Sequence, residues 1–117
     1  MSKRKMARFK LKNGETLIKK GMMDYCVTGG FGHSAMGDAW LTDQRFYFSA
    51  DLKSGEFLFF ELPLSEIHEI KKTGIPVLTR SILLIADGRP YRLNVFPMRG
   101  WLKKLKSAVA AFQKEQS

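Results

Sequence analysis

The chain has 117 residues, which is room for one domain that buries about two-thirds of its unfolded surface without disulfide or metal staples. Its 20 Lys+Arg stand against 11 Asp+Glu, a net +9, beside an apolar share of 44%; this excludes intrinsic disorder, which needs low hydrophobicity as well as high charge. One cysteine, Cys26, excludes an internal disulfide framework, and no run reaches the ~18 apolar residues of a membrane span.

The first residues, Met1-Ser2-Lys3-Arg4-Lys5, lead into more charge and not into an apolar h-region. Residues 1–6 therefore read as a basic tail, with a single domain over 7–115. Residues 7–12 alternate, with Ala7, Phe9 and Leu11 against Arg8, Lys10 and Lys12, the period of a half-buried strand. Asn13-Gly14 is a strong hairpin-turn signal, and residues 15–20 run back from it. That register sets Lys12 opposite Glu15, Lys10 opposite Leu17 and Arg8 opposite Lys19. One face is then Phe9, Leu11, Thr16 and Ile18; the other is basic. Like charges across a ladder are unfavourable, so such a face points to an anionic partner. An edge strand guarded by lysines against aggregation has the same pattern.

Further strands follow. Residues 24–28 form a short one. Residues 39–42 and 45–48 flank Asp43-Gln44 as a hairpin, and residues 56–62 are nearly continuously apolar up to Pro63. Leu64, Ile67 and Ile70 fit either one helical turn or an irregular strand. Residues 82–86 and 91–96 around Asp87-Gly88 are the clearest hairpin. Beyond Pro97 the period changes: Trp101, Leu102, Leu105, Val109 and Phe112 make one stripe of an amphipathic helix over about 98–113. The expected fold is mainly β, a barrel or sandwich of about seven antiparallel strands with one C-terminal helix.

The charge is polarised. Residues 1–20 carry +7, residues 21–95 carry −2 and residues 96–117 carry +4. Two basic ends attract an anionic surface, whether acidic lipid headgroups, an acidic protein or a nucleic-acid backbone.

Motifs for chemistry are sparse. The glycine-rich stretch over residues 29–38 lacks the Gly-Lys-Ser/Thr of a phosphate loop and leads into a strand, not the helix a dinucleotide fingerprint needs. It reads as a loop whose Phe31 and Met36 can contact a partner or a lipid interface. His33, His68 and Cys26 are too few for a structural zinc site, and no orienting group accompanies a Cys26–His33 pair. No cofactor, metal or catalysis is expected. The Phe46, Tyr47, Phe48 group and the rings of residues 57–60 raise single-stranded nucleic-acid stacking, but Phe46 and Phe48 share a strand face and read as core.

The order of motifs resembles a known family. Gly37-x-Ala39-Trp40-Leu41-Thr42-Asp43-x-Arg45-Phe46-x-Phe48 is similar to a block of GRAM domains. Leu62-Pro63-Leu64-Ser65-Glu66-Ile67 looks like their turn into the next strand, and Asp87-Gly88-x-x-Tyr91-x-Leu93 with Trp101-Leu102 resembles their closing hairpin and helix. The resemblance spans residues 11–112. It implies a pleckstrin-homology-like fold, two roughly orthogonal antiparallel sheets closed by the helix. In it Thr42, Arg45 and residues 62–67 are structural signatures. The loop over residues 29–38 has no Lys or Arg, a departure from the basic motif by which many pleckstrin-homology domains hold phosphoinositides.

The expected function is a non-enzymatic binding module, cytoplasmic and peripheral at the inner face of a membrane, that docks on acidic lipid headgroups. Its expected anionic-ligand residues are Arg8, Lys10, Lys12, Lys19, Lys20, Lys103 and Lys104, with Lys106 beside them. The alternatives are protein interaction or self-association through a sheet edge or the Phe31 and Met36 loop, and non-specific nucleic-acid binding.

Overall fold

The computed structural model describes residues 9–26, 34–52, 55–73, 81–95 and 98–116. Seven strands, β1 (Leu17–Cys26), β2 (Ser34–Thr42), β3 (Arg45–Asp51), β4 (Phe57–Pro63), β5 (Ile67–Thr73), β6 (Ser81–Ala86) and β7 (Arg89–Asn94), are followed by one helix, α1 (Met98–Gln116). All pairings are antiparallel, in the order β4-β3-β2-β1-β7-β6-β5. β1 is the hinge of this sheet. It pairs along its length with β2 and, at Asp24 and Tyr25, with Asn94 and Leu93 of β7.

The sheet folds back on itself. In a flat sheet β4 and β7, four places apart in the strand order, would be roughly 19 Å apart at ~4.8 Å per strand. Yet the rings of Phe60 on β4 and Tyr91 on β7 have centroids 4.9 Å apart, and Tyr25 on β1 sits 4.9 Å from Phe60. The inward positions Leu41, Phe46, Phe48, Ile82, Leu84 and Leu93 are fully buried between the two halves. α1 closes the remaining side with Trp101, Leu105, Ala108 and Val109, and Trp101 meets Phe46 edge-on at 6.3 Å.

Local chemistry explains the elements. Asp87 (φ 52°) and Gly88 (φ 78°) both have positive φ, the requirement of a tight type I′ hairpin. Pro63 ends β4, an edge strand, where its missing donor is harmless, and Pro90 lies beyond the part of β7 that β1 reaches. The ambiguous segment after Pro63 is both structures in turn. Leu64–Glu66 is a 3-10 turn with Leu64 buried, and β5 then starts with a bulge between Ile67 and Glu69. The corner is tied to both hairpins: Leu64 N–H donates to the Gln44 carbonyl at 3.0 Å, and Asp87 N–H to the Glu66 carbonyl at 3.0 Å.

Three readings change. Residues 17–26 are one strand where two short ones were expected, because Gly21 interrupts the alternation; a Cβ there would lie 3.1 Å from the Trp101 ring. Ser34 to Asp38 belong to β2, not to a loop. Gly37 is a strand residue whose Cβ would lie 2.1 Å from the Ser49 carbonyl oxygen, so only glycine lets β3 come this close. The turn at Asn13-Gly14 forms, with Glu15 N–H donating to the Lys12 carbonyl at 3.0 Å, but residues 9–12 are not a strand, and Leu11 and Thr16 are exposed.

What holds residues 9–16 is a buried ion pair. The Glu15 side chain is fully buried and that of Arg45 is 7% exposed. Glu15 Oε2 accepts from Arg45 Nε at 2.8 Å and from Thr42 Oγ1 at 2.6 Å. Its Oε1 accepts from Arg45 Nη2 at 3.1 Å and from the Lys12 N–H at 2.8 Å. Arg45 also donates to the Lys10 carbonyl at 2.6 Å and to Glu61 Oε1 at 3.1 Å. Burial alone would raise the Glu15 carboxyl; hydrogen bonds from Arg45, Thr42 and Lys12, together with the Arg45 charge, outweigh it and hold it down from 4.5 to about 2.

Three expectations follow. Arg45→Met strands a buried carboxylate and lowers urea-unfolding stability by about 3–5 kcal/mol, whereas the double variant Glu15→Leu/Arg45→Met loses less than the sum of the singles. Because the folded Glu15 carboxyl titrates below its unfolded value, its contribution is complete above pH 4.5 and disappears as pH falls toward 2. Glu15→Gln therefore flattens the acid limb of a stability-against-pH curve. Gly37→Ala, which forces β2 from β3, lowers the urea midpoint by the equivalent of about 1–3 kcal/mol.

Candidate functional site

The expected basic face is divided by strand geometry. Lys19 and Lys20 are neighbours on β1, so their side chains leave on opposite faces. Lys19 turns toward α1, with Nζ 5.4 Å from the Trp101 ring centroid and 3.9 Å from where a side chain at Gly100 would begin. Lys20 turns to the outer face of β1–β4, with Nζ 5.5 Å from the Trp40 ring. Lys10 and Lys12 are exposed, and Lys12 Nζ is 3.6 Å from Glu61, a carboxylate it shares with Arg45. Arg8 and Phe31 lie outside the described residues.

On α1, Arg99, Lys103, Lys104 and Lys106 are all exposed, and no carboxylate occurs in the helix before Glu115. Lys104 follows Gly100 by one turn and so shares the Lys19 side of the helix. Lys106 instead faces β5 across a shallow groove. Thus Lys19 and Lys104 come together, while Lys20, Lys10 and Lys12 belong elsewhere. Arg99 was missed, although spacing 99, 103, 106 is the helical i, i+4, i+7 signal that would have found it.

The outer face of β1–β4 has a different character. Phe9 stacks on Trp40 with centroids 4.9 Å apart and planes 9° from parallel, and Tyr47 meets the Trp40 edge at 5.7 Å. The Arg45 guanidinium lies 4.8 Å from the Phe9 ring centroid, so the buried ion pair also seats this stack. Burial raises the Tyr47 hydroxyl, and the Glu61 charge adds to it. Beside the rings, a groove of about 430 Å³ runs over Asp38 toward Phe57. Met22, Met36 and Phe59 stand out from this face at 61%, 57% and 55% exposure. Met36 is therefore presented by a strand, not by a loop tip.

The groups weighed for chemistry are separate. Cys26 is half-buried and accepts a hydrogen bond from Asn94 Nδ2 at 3.8 Å; His68 is exposed on β5; His33 lies outside the described residues. Among the described residues no cluster of three His, Cys, Asp or Glu could hold a metal ion, and no helix is long and apolar enough to cross a membrane.

No protein-family model and no curated protein matches the sequence. Solved structures do. The C-terminal domain of an unknown protein from Leishmania infantum superposes with TM-score 0.69 at 17% identity, over 84% of this chain and 87% of that one. The Vps36 N-terminal PH domain gives 0.61 at 16% identity, over 92% of this chain and 86% of that one. The linker-DH/PH fragment of p115-RhoGEF gives 0.65 at 12% identity, over 86% of this chain but 30% of that one. With seven antiparallel strands folded around one core and one closing helix among the described residues, the chain has a pleckstrin-homology-like fold.

Proposed function

We propose that the chain is a non-catalytic binding module of the GRAM and pleckstrin-homology-like kind, which docks reversibly on acidic lipid headgroups. The carrying observation is the one-signed surface at the start of α1: Arg99, Lys103 and Lys104 on the helix, joined by Lys19 over Trp101. The first turn of α1 has no acidic residue, and a helix start is itself the positive end of the backbone dipole. Cations gathered there repel one another, and an anionic surface relieves that repulsion. Of the residues expected from sequence, Lys19, Lys103 and Lys104 carry this reading; Lys12 is engaged by Glu61, and Lys20 lies on the other face.

Each basic residue near an anionic membrane contributes about 1 kcal/mol. In vesicle sedimentation the chain therefore pellets with phosphatidylserine-containing vesicles and stays in solution with phosphatidylcholine alone. Lys103→Glu/Lys104→Glu weakens binding by at least about 30-fold, while Lys12→Glu, beside Glu61 and away from the start of α1, has a smaller effect. Added salt weakens the association. Equal sedimentation with neutral vesicles counts against the proposal.

A second reading, protein interaction or self-association, is favoured by the exposed Met22, Met36 and Phe59 on the outer sheet face. It predicts a mass that rises with concentration in light scattering and returns to that of a monomer with Met36→Lys/Phe59→Lys.

A further inference from the structure

We infer that the edge of β5 turned away from β6, unpaired among the described residues, together with the groove that separates it from α1, is a docking site for an extended acidic peptide that adds to the sheet as a further strand. This goes beyond the lipid reading and uses a different surface. β5 is the last strand of the sheet, and among the described residues it pairs only with β6. Its other edge offers a row of backbone N–H and C=O groups, the template for strand addition.

The groove, of about 310 Å³, is bounded by four consecutive β5 residues, Ile67 to Ile70, and by Lys106, Val109 and Gln113 of α1. Ile67 and Ile70 turn inward whereas His68 and Glu69 are exposed, so residues of both orientations line one groove. That arrangement arises when a groove runs along a strand's edge and not over one of its faces. The bulge leaves His68 out of the ladder with β6, so its backbone groups are additional partners for an incoming chain.

Charge selects the occupant. Glu69 is matched by Lys71 at 3.0 Å, while Lys106 on the facing wall and Lys72 farther along β5 have no carboxylate partner among the described residues. An extended peptide with an apolar side chain over Ile67, Ile70 and Val109 and carboxylates on either side fits both walls. A second copy does not offer this. Its two edge strands carry one acid each, Glu69 on β5, already engaged by Lys71 and followed by Lys72, and Glu61 on β4, already engaged by Arg45 and Lys12.

The test is a titration of the full chain, isotope-labelled for amide NMR, with an acetylated and amidated heptapeptide of alternating Glu and Val. A peptide of alternating Lys and Val is the control. The expected result is shifts confined to β5 and to the Lys106–Gln113 side of α1, with slowed hydrogen exchange of β5 amides, from the Glu peptide alone. Lys106→Glu, an exposed helix position, weakens binding at least about five-fold, and Ala110→Phe, which fills the groove, abolishes it. The proposal is overturned if millimolar Glu peptide leaves β5 unmoved, if the Lys peptide binds equally, or if both variants bind as the parent does. Shifts that grow with chain concentration without peptide would make a second copy the occupant, and would also overturn it. Lys19→Glu/Lys104→Glu, on the side of α1 away from Lys106, weakens vesicle binding in the lipid reading and leaves the peptide shifts intact, so the two readings fail separately.

Discussion

The ion pair between Glu15 and Arg45 is the contact on which much of the rest depends. Two charges taken out of water cost several kcal/mol each, and their attraction offsets that cost only when every remaining donor and acceptor is also met. Here they are met. The carboxylate accepts four hydrogen bonds, the guanidinium reaches the Lys10 carbonyl and Glu61, and no buried side-chain polar atom among the described residues lacks a partner. The pair thus fastens a segment with no strand of its own to the β2–β3 hairpin. It also fixes where Phe9 and Lys12 stand: one stacked on Trp40, the other beside Glu61.

This arrangement bears on which cations remain available. Sequence neighbours need not share a surface, and residues 12–20 show how the separation arises. Lys12 is drawn to the carboxylate that also serves Arg45, and β1 sends Lys19 and Lys20 to opposite sides. The net charge of the chain is therefore less informative than its partition. One side is a basic helix start and another an aromatic sheet face with exposed methionines. A third is a strand edge facing Lys106 of α1.

Much of the fold was legible in the sequence because its elements carry strong local signals. Asp87-Gly88 between apolar runs, Asp43-Gln44 between Leu41 and Phe46, and the helical stripe from Trp101 to Phe112 each form as read. The misreadings come from contacts that no local window contains. β1 looked broken because Gly21 interrupts its pattern, and its reason is an indole arriving from eighty residues later. Gly37 looked like a loop glycine because its reason is the backbone of β3. The hairpin register set Glu15 opposite Lys12, yet the charge it pairs with is Arg45 on β3. The candidate site was less legible than the fold, since lysines have no period of their own and only the strand and helix directions sort them.

The pairing of Asp24 and Tyr25 with β7 has a consequence for synthesis on the ribosome. β1 emerges first, but one of its two neighbours is complete only at Asn94, and the helix that seats Trp101 against Gly21 follows later still. The β1–β4 meander can assemble early from local hairpins, whereas closure waits for β7 and α1. Contacts so distant in sequence slow folding. During that wait the inward side of the meander, with Phe46, Phe48 and Phe60, is uncovered, and this is the interval in which a nascent chain is most exposed to aggregation and most in need of chaperone shielding.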